Sequence, residues 1–364
     1  MATLVKDDPF RRLGAEVPVG EIDRRLSGFF DPGENNPAGI TRASLLNLAV
    51  YNEDTDSLED SAALIERLTR ETACRAILVL APPGGERGVR AWIEAHCRLD
   101  DQGEKTVCTE QVSFLLTGAD ASLVRNTVFA HLDSDLPLVF WWRGELSDIF
   151  EERLYGRVDR FVFDSRDWTH PAAPFHRLQS AMDEGGGFIP HDLAYTRVNP
   201  LRAAIARAFD DPRARAAIRD LAELEIEHRS GDRQSALWLA AWVAGRLGLS
   251  IDREKSTRDR VVADGLSIRL FPADPTCAGR EAVPRVAFRG DDRERAFACT
   301  IHRCAESGLW RVEQRFGDSD TAEEWLPGGD RDDGDLITEI LTRAGRNRAM
   351  LGILPTLREL LTLG

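Results

Sequence analysis

The stretch "SLLNLAVYNEDTDSLEDSAALIERLTRETACRAILVL" (residues 44–80) decides the fold. Its first eight residues form an apolar run that predicts a buried strand. Residues 57–71 change period: Leu58, Ala62, Ile65 and Leu68 recur at helical spacing, and Ser57 and Asp60 are capping residue types. Residues 75–80, "RAILVL", return to a continuous apolar run. A strand, a helix and a second strand of this kind predict a parallel pair joined by a right-handed crossover.

Working outward, the pattern departs from simple alternation of strands and helices. Residues 89–99 and 108–117 each alternate apolar and polar side chains, with "DDQGEK" between them, and predict an antiparallel hairpin added to the sheet. Upstream, Ile22, Leu26 and Phe29 predict a short helix over 19–29, followed by a loop in "DPGENNPAG". Downstream, a helix over 121–132 leads to "DLPLVFWWRG" (135–144), then a short helix over 146–154 and a buried strand in "DRFVFDS" (159–165). Residues 1–170 therefore read as an α/β N-terminal domain with a mixed sheet.

Residues 171–364 read as an α+β C-terminal domain with an antiparallel sheet. Residues 174–209 are mostly helical in pattern. Leu224, Ile226 and His228 alternate with Glu223, Glu225 and Glu227, as in a strand. Residues 233–249 predict a central apolar helix, with Trp238 and Trp242 as core. Strand patterns follow at 265–271, 285–289, 296–304 and 309–316, as in a meander. The closing segment, from Asp333, predicts two helices or a kink at Pro355.

Composition narrows the function classes. The chain has 364 residues, 43% hydrophobic content and a net charge of -14. Such a charge disfavours nucleic acid and anionic membrane surfaces as partners. No apolar run approaches the roughly 20 residues of a spanning helix. The first residues lack a signal-peptide layout, so a cytoplasmic location is expected. The six cysteines, at 74, 97, 108, 277, 299 and 304, are expected to be reduced thiols.

Chemical motifs are sparse. The sequence contains no P-loop, G-x-S-x-G, H-E-x-x-H or C-x-x-C. "PPGGERG" (82–88) follows a strand but leads into another strand, unlike a phosphate-cradling loop. "DRDDGD" (330–335) reads as an acidic helix start rather than a calcium loop. Cys299, His302 and Cys304 do not make a metal set, because Cys299 points away from the other two on a strand. No catalytic residue, cofactor or metal is therefore assigned. Arg143, Asp164, Arg166 and Arg197 are the groups an enzyme acting on a sugar phosphate or nucleotide would use, and each also reads as an ordinary surface or interface charge. In "DLPLVFWWRG" Trp141 and Trp142 face opposite sides of one strand. Either both faces are covered, or one indole, beside Arg143 at the strand's exit, anchors a partner.

The order of "RASLLNLAVY", "CRAILVL", "CTEQVSF", "SDLPLVFWWRG", "DRFVFDS", "DLAYTRVNPLRAAIARAFD" and "ALWLAAWVAGRLGL" resembles the OpcA family, the glucose-6-phosphate dehydrogenase assembly proteins. The resemblance runs from about residue 40 to about 250. It implies a non-catalytic effector that binds glucose-6-phosphate dehydrogenase and promotes its active oligomer. Trp141, Arg143, Tyr195, Arg197 and Arg202 become the candidates for partner contact, with Trp142 structural. The chain departs from the family at Tyr195 and at Leu201, where the family commonly has tryptophan. The redox cysteines of some family members have no residue-by-residue match here.

Overall fold

The computed structural model describes residues 9–30, 41–42, 44–56, 58–99, 105–274, 280–290, 296–304, 307–343 and 345–363. The expected loop at 31–39 and most of the hairpin turn at 100–105 lie outside them. The chain divides into two compact units. The first holds Met1–Thr169, Arg177–Pro190 and Ile337–Ala344, and the second holds His170–His176, His191–Leu336 and Gly345–Gly364.

The first unit is built from β1 (Ala15–Val17), α1 (Ile22–Gly28), β2 (Thr41–Arg42), β3 (Leu46–Asn52), α2 (Leu58–Glu71), β4 (Cys74–Leu80), β5 (Gly88–Leu99), β6 (Lys105–Thr117), α3 (Ala121–Ala130), β7 (Leu138–Arg143), α4 (Glu152–Tyr155) and β8 (Arg160–Phe163). After α5 (Ala172–Asp183), β9 (Ile189–Asp192) closes the sheet, whose order is β1-β5-β6-β4-β3-β7-β8-β9 with β2 on β6. β3 pairs in parallel with both β4 and β7, as the 44–80 stretch predicts for β4. β5 and β6 form the predicted antiparallel hairpin, and β6 continues the parallel set beside β4. Every residue of β3 and β4 is buried. That is the expected outcome for central parallel strands covered on both faces.

Asn47 explains part of the local geometry. Its fully buried amide donates to the carbonyls of Asp133 (2.9 Å) and Leu136 (3.1 Å), while its side-chain oxygen accepts from the Asp133 N–H (2.9 Å). One polar side chain thus satisfies the turn that delivers the chain into β7.

The second unit starts with α6 (Leu193–Arg197), α7 (Asn199–Ala208), α8 (Pro212–Ala217), β10 (Leu221–His228) and α9 (Arg233–Leu247). β11 (Arg260–Ala263), β12 (Leu266–Pro272), β13 (Arg285–Gly290), β14 (Phe297–Arg303), β15 (Trp310–Phe316) and β16 (Asp320–Leu326) follow, then α10 (Asp333–Thr342) and α11 (Arg348–Leu360). The sheet order is β11-β12-β10-β13-β14-β15-β16. The expected meander holds from β13 to β16, but β10 pairs in parallel with β12.

Leu224 and Ile226 face inward with Phe288, Cys299, Ile301 and Val312. Helices α7 and α9 pack on this side: Phe209, just after α7, meets Phe288 and Phe297, and Gln314 donates to the Ala208 carbonyl at 2.8 Å. The opposite side of the sheet is polar. There Glu223, Glu225 and Glu227 form a row on β10, flanked by Arg269 on β12 and by Arg285 and Arg289 on β13. Farther along, Arg311, Glu313 and Arg315 on β15 stand beside Glu323 and Trp325 on β16.

Two expectations change here. The closing segment is two helices, and Pro355 lies inside the second one. The break falls between α10 and α11, where Gly345 and Asn347 adopt positive φ (147° and 44°). Trp238 is fully buried, whereas Trp242 is half-buried beside an apolar slot of about 110 Å³ with Phe209, Ile218 and Phe288.

Candidate functional site

Two places collect the residues singled out by sequence. The first is the carboxyl end of the parallel strands in the first unit. Chain order reverses at β3, whose crossovers lead to β4 on one side and toward β7 on the other. Asn52 and Arg143 end their strands side by side in register at this switch point. In open α/β sheets, ligands collect in the crevice at such a point, and a dinucleotide needs a helix N-terminus free to face its phosphates. Here the β3–α2 connection carries Glu53, Asp54 and Asp56, and the first turn of α2 adds Glu59 and Asp60. Glu53 accepts from the Tyr51 hydroxyl (2.8 Å) and from Ser147. Burial, with Glu53 adjacent, holds the Tyr51 phenol well above its usual range. Five carboxylates concentrated at this turn oppose an anionic cofactor by Coulomb repulsion.

Arg143 does not reach into that crevice as a free cation. It donates to the Ser61 hydroxyl of α2 and lies over the Trp141 ring, 5.4 Å from its centre. Of the two alternatives for the indoles, both faces are covered: Trp141, the candidate for partner contact, is 2% exposed, and Trp142 is 0% exposed. The reason is that β7 is paired on both edges, by β3 and β8, with α2 covering the Trp141 face. On the other face Trp142 packs on Tyr51 at 4.4 Å between ring centres and donates its N–H to the Glu145 carbonyl at 2.8 Å. Asp164, also buried, accepts from the Arg166 N–H (3.1 Å) and pairs with its guanidinium (3.3 Å).

The second place is α6 in the second unit, which carries "DLAYTR" (192–197). Asp192 is fully buried and caps the helix, accepting from the Ala194 N–H at 2.9 Å. Its other oxygen accepts from the Trp238 indole N–H at 2.7 Å. Tyr195 meets the Trp238 ring edge-on at 5.1 Å. The Arg202 guanidinium sits over the Tyr195 ring at 3.5 Å, donates to the Tyr195 carbonyl (3.0 Å) and also bonds Asn199. Arg197 pairs with Asp333 at the start of α10, at 2.7 Å. This is a tied-down polar network whose charge-assisted bonds hold α6, α7 and α9 together. Tyr195, Arg197 and Arg202 are thus placed within the unit rather than projecting from it. Leu201, at 1% exposed, is core.

The reduced-thiol expectation is corrected at one pair. Cys97 and Cys108 are joined by a disulfide. The hairpin register sets them directly opposite on β5 and β6, although eleven positions separate them in sequence. Cys74 and Cys299 are free and buried, and burial pushes both thiols up to about 12, which makes them unreactive.

Sequence reasoning missed the Asp192–Trp238 bond and the strand β9 that presents Asp192. The only signal was the capping residue type before an apolar helix. Among the described residues no helix is long and apolar enough to cross a membrane.

These features define a class: a two-unit chain whose first sheet has the switch point of a nucleotide-binding fold but carries carboxylates where phosphates would sit. Residues 65–180 match the family described as the N-terminal domain of the glucose-6-phosphate dehydrogenase subunit. Residues 190–350 match its counterpart, the C-terminal domain of that glucose-6-phosphate dehydrogenase subunit. The chain belongs to the OpcA family.

Similar curated proteins include the OxPP cycle protein OpcA of Nostoc punctiforme, 26% identical over 191 residues, and that of Synechocystis, 23% identical over 191 residues. The matches span 51% and 52% of this chain but only 40% of each relative. Among solved structures, the 3-ketoreductase KijD10 of Actinomadura kijaniata is 11% identical with a TM-score of 0.48, covering 87% of this chain and 96% of that one. The oxidoreductase yhhX is 10% identical with a TM-score of 0.47, covering 88% of this chain and 97% of that one.

Proposed function

We propose that this chain is a non-catalytic, cytoplasmic effector that binds glucose-6-phosphate dehydrogenase and promotes its active oligomer. The observation that carries the reading is the pair of family matches, one in each half of the chain. The acidic β3–α2 turn supports it, since phosphate-bearing substrates and cofactors are disfavoured at the position where the fold would hold them. The mechanism is linkage. An effector that binds the active oligomer more tightly than the inactive form shifts the population by that difference, about 1.4 kcal/mol for each factor of ten.

The candidate contact residues Trp141, Tyr195 and Arg202 are buried, and Arg197 is tied to Asp333. Trp141, Tyr195, Arg197 and Arg202 act by positioning α2, α6 and α7 within their own units, and direct contact falls to exposed residues elsewhere on the chain. The experiment is sedimentation of the dehydrogenase from the same cell, with and without the chain. A shift of the dehydrogenase to a larger, more active species is expected. Unchanged sedimentation at saturating chain would overturn the reading.

A further inference from the structure

The polar side of the second sheet carries more organisation than a solvated face requires. Glu225 is only 8% exposed, beneath three arginines. Arg289 reaches it at 3.0 Å and Glu223 at 3.2 Å, Arg285 lies 3.6 Å from it, and Arg269 also bonds it. Burial works against the Glu225 charge, yet the bond from Arg289 and the fields of all three arginines hold its carboxyl below the usual range. A second cluster repeats the motif: Arg311 pairs with Glu313 and Glu323, each at 3.0 Å, and stacks over Trp325 at 5.5 Å. Trp325 is 45% exposed.

From these observations we infer that the open face of this sheet is a self-association surface, and that its occupant is the same face of a second copy of the chain. Charge selects the occupant. The chain carries a net charge of -14, so two copies repel through most of their surfaces. Across the six strands from β12 to β16 in the sheet order, the outward carboxylates at 223, 225, 227, 313 and 323 are matched by arginines at 269, 285, 289, 311 and 315. This face is neutral, and a second copy can approach it without that repulsion.

The pattern is also self-complementary. A two-fold axis between β13 and β14, at the centre of the six strands, sets the acidic row on β10 of one copy against the β15 row of the other, with Arg311 and Arg315, and sets Arg269 on β12 against Glu323 and Trp325 on β16. The same contact is made twice, as an isologous interface requires. Area is adequate: six strands about 4.8 Å apart and about seven residues long span on the order of 500 Å². Two such faces reach the roughly 1,000 Å² that a specific interface needs. Each carboxylate already has an intramolecular partner, so docking leaves none of the carboxylates buried alone. Trp325 and Arg311 supply the aromatic–arginine anchor common in interface hot spots.

The test is sedimentation velocity of the full chain at about 50 mM and about 500 mM salt, where screening of charge contacts differs strongly. Twice the monomer mass is expected at low salt, with at least tenfold weaker association at high salt. Thr300→Arg, which adds charge and bulk to the middle of the face, and Trp325→Ala should each give monomers at low salt with unchanged melting. If Thr300→Arg unfolds the chain, Trp325→Ala still decides. A wild-type monomer at low salt overturns the inference. So does a dimer that the folded variants leave intact, or a face that proves to bind only a different protein.

Discussion

Trp141 and Trp142 carry nearly equal packing loads on opposite sides of β7. One indole meets Arg143 and the α2 side, and the other meets Tyr51 and Phe161. Alanine at either position should therefore destabilise the chain by about 3–5 kcal/mol, as removal of a buried tryptophan does. Equilibrium denaturation checks this, and a Trp141→Ala variant that melts like wild type would mean its face is open after all. Glu281 adds a pH dependence. Burial pushes its carboxyl up to about 7, against the pull of Arg303, 3.2 Å away, with Asp330 adding to the rise and Arg331 opposing it. The folded state then holds the proton longer than the unfolded chain. Stabilisation from protonated Glu281 is present below the unfolded carboxylate range and is lost as pH rises toward 7. Glu281→Gln should flatten the fall in melting temperature between about pH 4.5 and 7. An unaltered pH profile would remove Glu281 from the account.

At the scale of elements, Asn47 is the joint between β3 and the turn into β7. Its three hydrogen bonds cannot be made by an apolar residue. Asn47→Leu should cost about 2–4 kcal/mol by stranding the Asp133 N–H and two carbonyls. Hydrogen exchange should show the loss as faster exchange at the Asp133 amide, and a protected amide there would contradict it. This joint was invisible in sequence, where Asn47 is one polar residue in an apolar run. The strands themselves were legible because continuous apolar runs at 46–52 and 74–80 and alternation at 108–117 have few other readings. β9 was not, because Ile189-Pro190-His191-Asp192 has neither period. β16 was missed for a similar reason: it is an acidic, half-exposed edge strand. Pro355 misled in the other direction, since a proline can sit within a helix that tertiary packing holds. α11 buries Met350, Ile353, Leu354 and Leu357 around it.

For the whole molecule, the family resemblance was legible from segment order, but the placement of the candidate site was not. The motif residues Tyr195, Arg197 and Arg202 looked like contacts because aromatic and arginine side chains are common at interfaces. They are instead bound to one another and to Asp333, a partner 136 positions from Arg197 that no local pattern could indicate. The Cys97–Cys108 pairing was hidden for a related reason, since it depends on hairpin register rather than on spacing.

The central claim is that this chain acts on a dehydrogenase rather than on a metabolite. Titrating the chain into glucose-6-phosphate dehydrogenase from the same cell, while following nicotinamide reduction, tests it most directly. The account predicts no turnover by the chain alone and a saturable rise in the enzyme's activity at limiting substrate. Turnover by the chain alone, or an enzyme rate indifferent to it at every concentration, would contradict the account.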